Sequence, residues 1–341
     1  MIMKIAFFCI FLLQPLVFAK YDVLGIGNPC IDYIQSVDDT VVQELAISKG
    51  GRKGYDSQSF SKVILQSLSN QPLNIFTGGS ACNTMKGLAN LGISTAITGN
   101  LGLDEHGDQI LNIIENLGIK PLCTRKSPTT SQVASLVTED GARAFCTSLD
   151  ADEALEPSDL KQSFFDGVSI VHVEGYRLEN KTYIETAMEM AKRAGALITF
   201  DLCNATYSAK FRERIYGLLN KYVDVLFLDE QEAYALTHLD PKPAAEFLKN
   251  YCNIIVVKSG EKGCWVSDHG TVTHYPALRS HIKDATGSGA LFSSGFIYGL
   301  LKNAPLCECA YYGHLLGSEV IKHYGAEIPT EKWCSLHEKM K

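Results

Sequence analysis

Short runs of apolar residues recur along most of this chain, and amphipathic helical patterns separate them. Each run ends in glycine, aspartate or another polar or turn residue, as a buried strand does where it leaves a sheet. The runs span residues 21–27 (YDVLGIG), 168–175 (VSIVHVEG), 196–202 (ALITFDL), 223–229 (VDVLFLD) and 253–260 (NIIVVKSG). Strands alternating with helices of roughly 10–15 residues predict an α/β fold, in which helices cover both faces of a mostly parallel sheet.

Two regions, near residues 34–76 and 123–149, do not follow this alternation. In the second region polar and apolar residues alternate on both sides of a Glu-Asp-Gly turn at residues 139–141, which predicts a β-hairpin. We interpret both regions as parts of a small β lid rather than as a second domain. The ligand is expected at the carboxyl ends of the parallel strands, where such sheets bind their ligands.

Charge and composition restrict the partners of this chain. The 341 residues carry a net charge of −7 and contain no run of Lys or Arg, which argues against a nucleic-acid partner. The eleven cysteines form no C-x-x-C pair, so we interpret them as small buried side chains of a reducing compartment rather than metal ligands. The expected partner is a small molecule, bound by a monomer or a homodimer.

One glycine-rich turn lies in the stretch TGGSACNTMKGLANLG. Gly78 and Gly79 end a predicted strand, and Asn83 follows in the first turn of a predicted helix. Glycines allow close approach of a ligand to the backbone, and an amide both donates and accepts hydrogen bonds, which suits a polyhydroxylated ligand. The alternative is a plain strand-to-helix turn in which Ser80 is the N-cap.

A second glycine-rich turn, DATGSGA, occupies residues 284–290. Gly287, Ser288 and Gly289 begin a predicted helix, whose backbone N–H groups and positive dipole end converge on one point. This arrangement predicts an anion hole for a phosphoryl group in transfer. The alternative is that the glycines only permit tight packing between helices.

The two turns together resemble the paired signatures of the PfkB (ribokinase-like) family of ATP-dependent sugar and nucleoside kinases. The resemblance extends from Tyr21 to Pro329, and the phrases GNPCID, GGSACNT and EGY are most similar to the adenosine-kinase-like branch. It implies a three-layer α/β/α ribokinase-like sandwich with a small β lid and a kinase domain over residues 20–335. It also implies ATP and Mg²⁺ as cofactors, and phosphorylation of a hydroxymethyl group on a nucleoside or sugar.

The resemblance assigns roles to individual residues. The substrate would be bound by Asn28, Asp32, Gly78, Gly79 and Asn83. The nucleotide would be bound by Ser259, Gly260, Gly263, Asp284 and His314. Asp229 and Glu232 match the family's N-x-x-E motif, in which the glutamate acts indirectly on Mg²⁺, although Asp229 replaces the asparagine.

Ala290 departs from the family pattern, which resembles D-T-x-G-A-G-D and ends in the aspartate that takes the proton of the substrate hydroxyl. A general base contributes about 10²- to 10⁴-fold to a rate, whereas phosphoryl transfer depends mainly on positioning and electrostatics. We therefore expect weakened activity. Two other hypotheses remain: a degenerate member that binds without chemistry, and an active enzyme whose aspartate was replaced to trap substrate. Drift at Ser288, Asp229 and His314 favours natural divergence.

Residues 1–19 form an apolar leader with one early lysine, Lys4. This leader resembles a secretory signal peptide and is short for a stable membrane span. If it is cleaved, a secreted or periplasmic location follows. If it is retained, a cytoplasmic location is favoured, because an ATP-using enzyme needs its cosubstrate.

Overall fold

The computed structural model describes residues 21–49, 51–67, 74–126, 129–140 and 143–341. The predicted leader at residues 1–19 and Gly141 of the predicted hairpin turn lie outside these ranges. Within them, no helix is both long enough and apolar enough to cross a membrane.

Strands and helices alternate along the described chain. The strands are β1 Val23–Ile26, β2 Cys30–Ser36, β3 Arg52–Gly54, β4 Asn74–Gly78, β5 Thr95–Thr98, β6 Asn100–Leu101, β7 Lys120–Pro121, β8 Thr124–Arg125, β9 Gln132–Val137, β10 Arg143–Ser148, β11 Ile170–Glu174, β12 Leu197–Asp201, β13 Val225–Asp229, β14 Ile254–Lys258, β15 Cys264–Asp268 and β16 Thr271–Tyr275. The α-helices are α1 Asp39–Glu44, α2 Ser57–Ser67, α3 Ser80–Asn90, α4 Glu105–Asn116, α5 Asp150–Glu153, α6 Lys181–Arg193, α7 Ala205–Lys210, α8 Arg212–Lys221, α9 Glu230–Thr237, α10 Pro241–Leu248, α11 Ser288–Leu301, α12 Leu306–Val320 and α13 Thr330–Glu338. Short 3₁₀ turns lie at Pro157–Asp159, Gln162–Phe164, Gly175–Glu179 and Gly260–Lys262.

The large sheet has the strand order β16-β15-β14-β13-β12-β11-β1-β5-β7 among the described residues. Strands from β14 to β7 are parallel, and β15 and β16 add an antiparallel edge. The five apolar runs predicted as strands are β1, β11, β12, β13 and β14, which are consecutive neighbours in this sheet. The prediction of a mostly parallel α/β sheet is therefore confirmed.

Helices cover both faces of the large sheet, and each face has its own hydrophobic core. Successive side chains of a strand point to opposite faces. Leu226 of β13 accordingly packs in the core that contains Ile184 of α6. The next residue, Phe227, packs in the core that contains Met85 of α3 and Phe296 of α11. This is the predicted three-layer arrangement.

A second sheet of order β3-β10-β9-β2-β4 forms the small β lid that the fold prediction included. Strands β9 and β10 pair antiparallel, as the predicted hairpin requires. The first lid region also contains α1 and α2, which the sequence interpretation did not include. Val42 of α1 and Phe60 of α2 are buried in the same core as Ile31 and Leu136 of the lid strands. The two helices therefore pack with the lid strands in the core that also covers one face of the large sheet.

Candidate active site

Four charged side chains end four neighbouring strands of the large sheet. Glu174, Asp201, Asp229 and Lys258 are the last residues of β11, β12, β13 and β14. Glu174 pairs in register with Asp201, and Asp229 with Lys258. Because these strands are parallel, their carboxyl ends meet at one edge, where a ligand is expected.

Glu174 joins the end of β1 to the start of α3. Its Oε1 accepts a hydrogen bond from the Asn28 backbone N–H at 2.8 Å, and its Oε2 accepts one from the Ala81 N–H at 2.9 Å. Helix α3 begins at Ser80 and its N-cap is Gly79, so the expected N-cap at Ser80 is wrong. The distant carboxylate replaces a local cap because it accepts from an N–H of the first helical turn.

Gly78 and Gly79 make room for other protein atoms. A Cβ atom on Gly78 would lie 2.2 Å from Oδ2 of Asp32, and one on Gly79 would lie 2.3 Å from the carbonyl oxygen of Asn28. Gly79 also has a φ of 96°, a conformation that other residues rarely adopt. The structure thus brings together four of the predicted substrate residues, Asn28, Asp32, Gly78 and Gly79.

Polar atoms near these glycines are buried without partners. Asn28 and Asn83 are 7% and 5% exposed, and neither Oδ1 atom has a hydrogen-bond partner in the described part of the chain. An unpaired buried polar group costs about 1–3 kcal/mol. Burial also raises the pKa of Asp32 to about 6. A ligand with several hydroxyl groups could satisfy all three side chains.

The first turn of α11 packs against the first turns of α3. Thr84, which follows Asn83, donates through Oγ1 to the Ala290 carbonyl oxygen at 3.2 Å. Ser294 donates through Oγ to the Thr84 carbonyl oxygen at 3.0 Å. These bonds place Ala290, which is buried, close to the residue next to Asn83.

Asp284 anchors the DATGSGA turn. Its Oδ1 accepts from the Thr286 N–H at 3.0 Å, and its Oδ2 accepts from the Gly325 N–H at 2.9 Å. Gly287 has a φ of 77°, and a Cβ atom on it would lie 2.3 Å from the Cβ of Ala326. The turn is therefore held in one conformation by the loop that follows α12.

This turn leaves backbone donors available. Across the described residues, no acceptor is found for the N–H groups of Gly289 and Ala290, while the Ser288 N–H makes a long 3.3 Å bond to the Ala285 carbonyl oxygen. Free N–H groups at the start of a 14-residue helix can bind an anion.

Asp229 and Glu232 bond to each other at the start of α9. The Glu232 N–H donates to Oδ1 of Asp229, and the Asp229 N–H donates to Oε2 of Glu232, each at 2.8 Å. Burial and the Asp229 carboxylate raise the pKa of Glu232 to about 8. One oxygen of each side chain remains, and the described residues contain no cluster of three or more metal-ligating side chains. Carboxylate oxygens are ligands that Mg²⁺ prefers, so the chemistry of this pair would fit an indirect contact with a bound Mg²⁺ ion.

Two of the predicted nucleotide residues, Gly263 and His314, contact the backbone of Tyr275 at the end of β16. The Ser259 N–H donates to the Gly263 carbonyl oxygen at 2.7 Å, and a Cβ atom on Gly263 would lie 2.1 Å from the Tyr275 carbonyl oxygen. Gly260, between them, has a φ of 54°. Burial lowers the pKa of His314 to about 4, an effect that a hydrogen bond with the Tyr275 backbone partly offsets. Ser259 Oγ and His314 Nε2 are buried without partners among the described residues.

Sequence reasoning assigned no role to Glu174, Asp201 or Lys258, although all three end predicted strands. The signal was present, since each is a charged residue at the carboxyl end of an apolar run. Nothing local distinguishes them from the charged residues that end many surface strands.

The fold and this site define the class of ribokinase-like α/β kinases, with a glycine-rich helix start beside a lid-covered strand edge. Residues 65–333 match the pfkB family of carbohydrate kinases, and this chain belongs to that family. The predicted family resemblance is thereby confirmed.

Known relatives carry the names of sugar kinases and adenosine kinases. A 5-dehydro-2-deoxygluconokinase of Geobacillus thermodenitrificans is 29% identical over 280 residues, which cover 75% of this chain and 82% of the relative. An adenosine kinase of Schizosaccharomyces pombe is 24% identical over 92% of this chain and 98% of its own length. The crystal structure of adenosine kinase from Sinorhizobium meliloti has a TM-score of 0.87 and 29% identity, and it covers 95% of this chain and 100% of its own.

Proposed function

We propose that this protein binds a nucleoside or sugar together with ATP and Mg²⁺, and that it transfers the γ-phosphoryl group slowly because Ala290 replaces the catalytic base. One observation carries this proposal. Gly78 and Gly79, which lead into α3, lie against Asp32 and Asn28, and α3 carries Asn83. The side-chain oxygens of Asn28 and Asn83 are buried without partners among the described residues, and α3 packs against the helix start that carries the unbonded N–H groups of Gly289 and Ala290.

Asp32, Asn28 and Asn83 would bind the hydroxyl groups of the substrate. A carboxylate accepts hydrogen bonds from two neighbouring hydroxyls, and each amide oxygen accepts one more. Gly78 and Gly79 keep this pocket open by leaving space for Asp32 and Asn28. Relatives named adenosine kinase and 5-dehydro-2-deoxygluconokinase support both an adenosine-like nucleoside and a sugar derivative as substrate classes.

Ser259, Gly260, Gly263 and His314 would bind the nucleotide, and Asp284 would hold the turn that faces its phosphates. Bound Mg²⁺ would neutralise charge on the phosphate oxygens. Asp229 and Glu232 are assigned to the indirect contact with that ion. The N–H groups of Gly289 and Ala290 would stabilise the charge that develops on the phosphoryl group.

In the proposed reaction, the substrate hydroxyl oxygen bonds to the γ-phosphorus. The bond from that phosphorus to the β–γ bridging oxygen breaks, and its electron pair leaves with ADP. The hydroxyl proton must pass to a base, and the methyl group of Ala290 cannot accept it. Both carboxylate oxygens of Asp284 already accept hydrogen bonds, Oδ1 from Thr286 of the turn and Oδ2 from Gly325 of the loop that follows α12. The proton therefore passes to water, which slows the transfer.

The variant Ala290→Asp tests this proposal. Turnover with Mg-ATP is measured for adenosine and for a panel of sugars, and restoring the base should raise the rate at least about 100-fold. The control is Ala290→Asn, which has nearly the same size but cannot act as a base. Fast turnover by the unmodified protein would contradict the proposal, because another carboxylate would then serve as base.

A second candidate is a protein that binds its ligands without chemistry, and the methyl group at Ala290 favours it. This candidate predicts calorimetric binding of nucleoside or sugar with no turnover, even in Ala290→Asp. If Ala290→Asp phosphorylates the ligand that the unmodified protein binds, the binding-only candidate is excluded.

A further inference from the structure

Lys258 is a half-buried lysine at the carboxyl edge of the large sheet. Its Nζ donates to both carboxylate oxygens of Asp201 at 3.1 Å, and its side chain is 14% exposed. Ser293 of α11 also donates through Oγ to Oδ2 of Asp201 at 2.9 Å. The ion pair therefore connects the ends of two strands to the first turns of the helix that carries the glycine-rich turn.

The ammonium group of Lys258 lies beside the start of α11. A Cβ atom built on Gly289 would be 3.3 Å from Nζ. Gly289 and Ala290 are the residues whose N–H groups have no acceptor in the described part of the chain. A side chain on Gly289 would therefore crowd the ammonium group of Lys258, and the glycine leaves that space open.

In the described part of the chain, Asp201 is the hydrogen-bond partner of the Lys258 ammonium group. An ammonium group has three N–H donors, and the bonds to Asp201 use at most two of them. Burial lowers the pKa of Lys258, but Asp201, Glu232 and Asp229 together raise it above its ordinary value, so the group stays charged. It is the cation among three carboxylates that would otherwise repel a phosphate.

We propose that Lys258 is a further catalytic residue, whose ammonium group binds the phosphoryl group in transfer together with the N–H groups of Gly289 and Ala290. This inference rests on the proposed function. Asp201 acts as a positioning residue, because it holds Nζ next to the helix start. A fixed cation and fixed N–H donors stabilise the charge on the phosphoryl oxygens without reorganisation during the reaction.

The test compares Lys258→Met, which keeps the length of the side chain and removes its charge, with Lys258→Arg. ATP with Mg²⁺ is titrated calorimetrically into each full-length variant. Lys258→Met should bind ATP at least about tenfold more weakly, and Lys258→Arg should retain part of the affinity. In the Ala290→Asp background, Lys258→Met should lower kcat at least about 100-fold, since one fixed donor of this kind contributes that much.

The matched control is Lys192→Met. Lys192 also donates to both oxygens of one carboxylate, Asp224, at 2.8 and 2.7 Å. Asp224 directly precedes β13, at the opposite edge of the sheet, so this variant should bind ATP like the unmodified protein. The double variant Lys258→Met/Asp201→Asn removes the buried charge left by the single change. If Lys258 only neutralises Asp201, the double variant will recover ATP binding, and the inference is overturned.

Inorganic tripolyphosphate separates this inference from the proposed function, because it presents phosphate groups without the nucleobase or the ribose of ATP. If the unmodified protein binds tripolyphosphate and Lys258→Met does not, Lys258 is a phosphate ligand even where no kinase turnover is found. If both bind it equally well, or neither binds it at millimolar concentration, the assignment of Lys258 is wrong.

Discussion

At the residue scale, Asp32 shows how a carboxyl group that we propose for substrate binding reduces the stability of the fold. Burial raises its pKa from 3.8 to about 6. In the unfolded chain the carboxyl group ionises near its ordinary pKa, so the folded state binds more protons between those two values. The stability of the fold therefore falls as the pH rises through this window, and above it the folded state carries a buried, poorly solvated carboxylate.

We predict that Asp32→Asn unfolds at higher denaturant concentration than the unmodified protein at pH 8. Its free energy of unfolding should be larger by about 1–2 kcal/mol, and this difference should disappear near pH 4. The same variant should bind nucleoside or sugar about 10-fold or more weakly, because a charged acceptor is lost. Chemical denaturation and calorimetry measure the two effects. The control is Asp268→Asn, at an exposed carboxylate. Unchanged affinity in Asp32→Asn would remove Asp32 from the pocket.

At the element scale, the start of α11 depends on the absence of a side chain at Gly287. Its φ is 77°, and a Cβ atom added to it would lie only 2.3 Å from the Cβ of Ala326. The Gly325 N–H bond to Asp284 holds the opposing loop in place, so the collision cannot be relieved without moving the turn.

We predict that Gly287→Ala lowers the free energy of unfolding by at least about 1–2 kcal/mol and weakens ATP binding, because the turn must shift. The comparison is Gly217→Ala in α8. A Cβ atom on Gly217 would meet nothing within 4 Å, and its φ is not positive, so the same change there should stabilise the helix by about 0.5–1 kcal/mol. Equal effects of the two substitutions would show that the turn is not restrained.

At the scale of the whole molecule, the lid and the large sheet share a hydrophobic core. Ile31 and Leu136 of the lid strands belong to the same cluster as Met85 and Phe296 of the helices on the large sheet. Tyr33 of the lid adds a polar connection, because its hydroxyl lies 3.1 Å from Nε2 of His106 in α4.

We predict that the amides of lid strand β9 exchange hydrogen with the same free energy of opening as those of β1, since one core must be broken to expose either strand. Native-state hydrogen exchange at increasing denaturant measures this. The exposed edge strand β3 is the internal comparison and should exchange through smaller openings. A lower opening free energy for β9 than for β1 would mean that the lid unfolds by itself.

The sequence by itself determined the strands, the covering helices, the hairpin and both glycine-rich turns. These features depend on local periodicity and local backbone conformation, which neighbouring residues specify. The departure of Ala290 from the family pattern was also readable, since the motif around it is contiguous. The helices of the lid were missed, because they cover a small sheet whose strands come from distant parts of the chain.

Only the tertiary structure decided which distant residues meet at the strand edge. Glu174 holds Asn28 and Ala81 across 146 and 93 residues of sequence, and Lys258 donates to Asp201 across 57 residues. These contacts follow from the strand order, in which β11 lies between β1 and β12. Local periodicity predicts that a strand forms. The position of that strand in the sheet depends on how the helices that connect the strands pack.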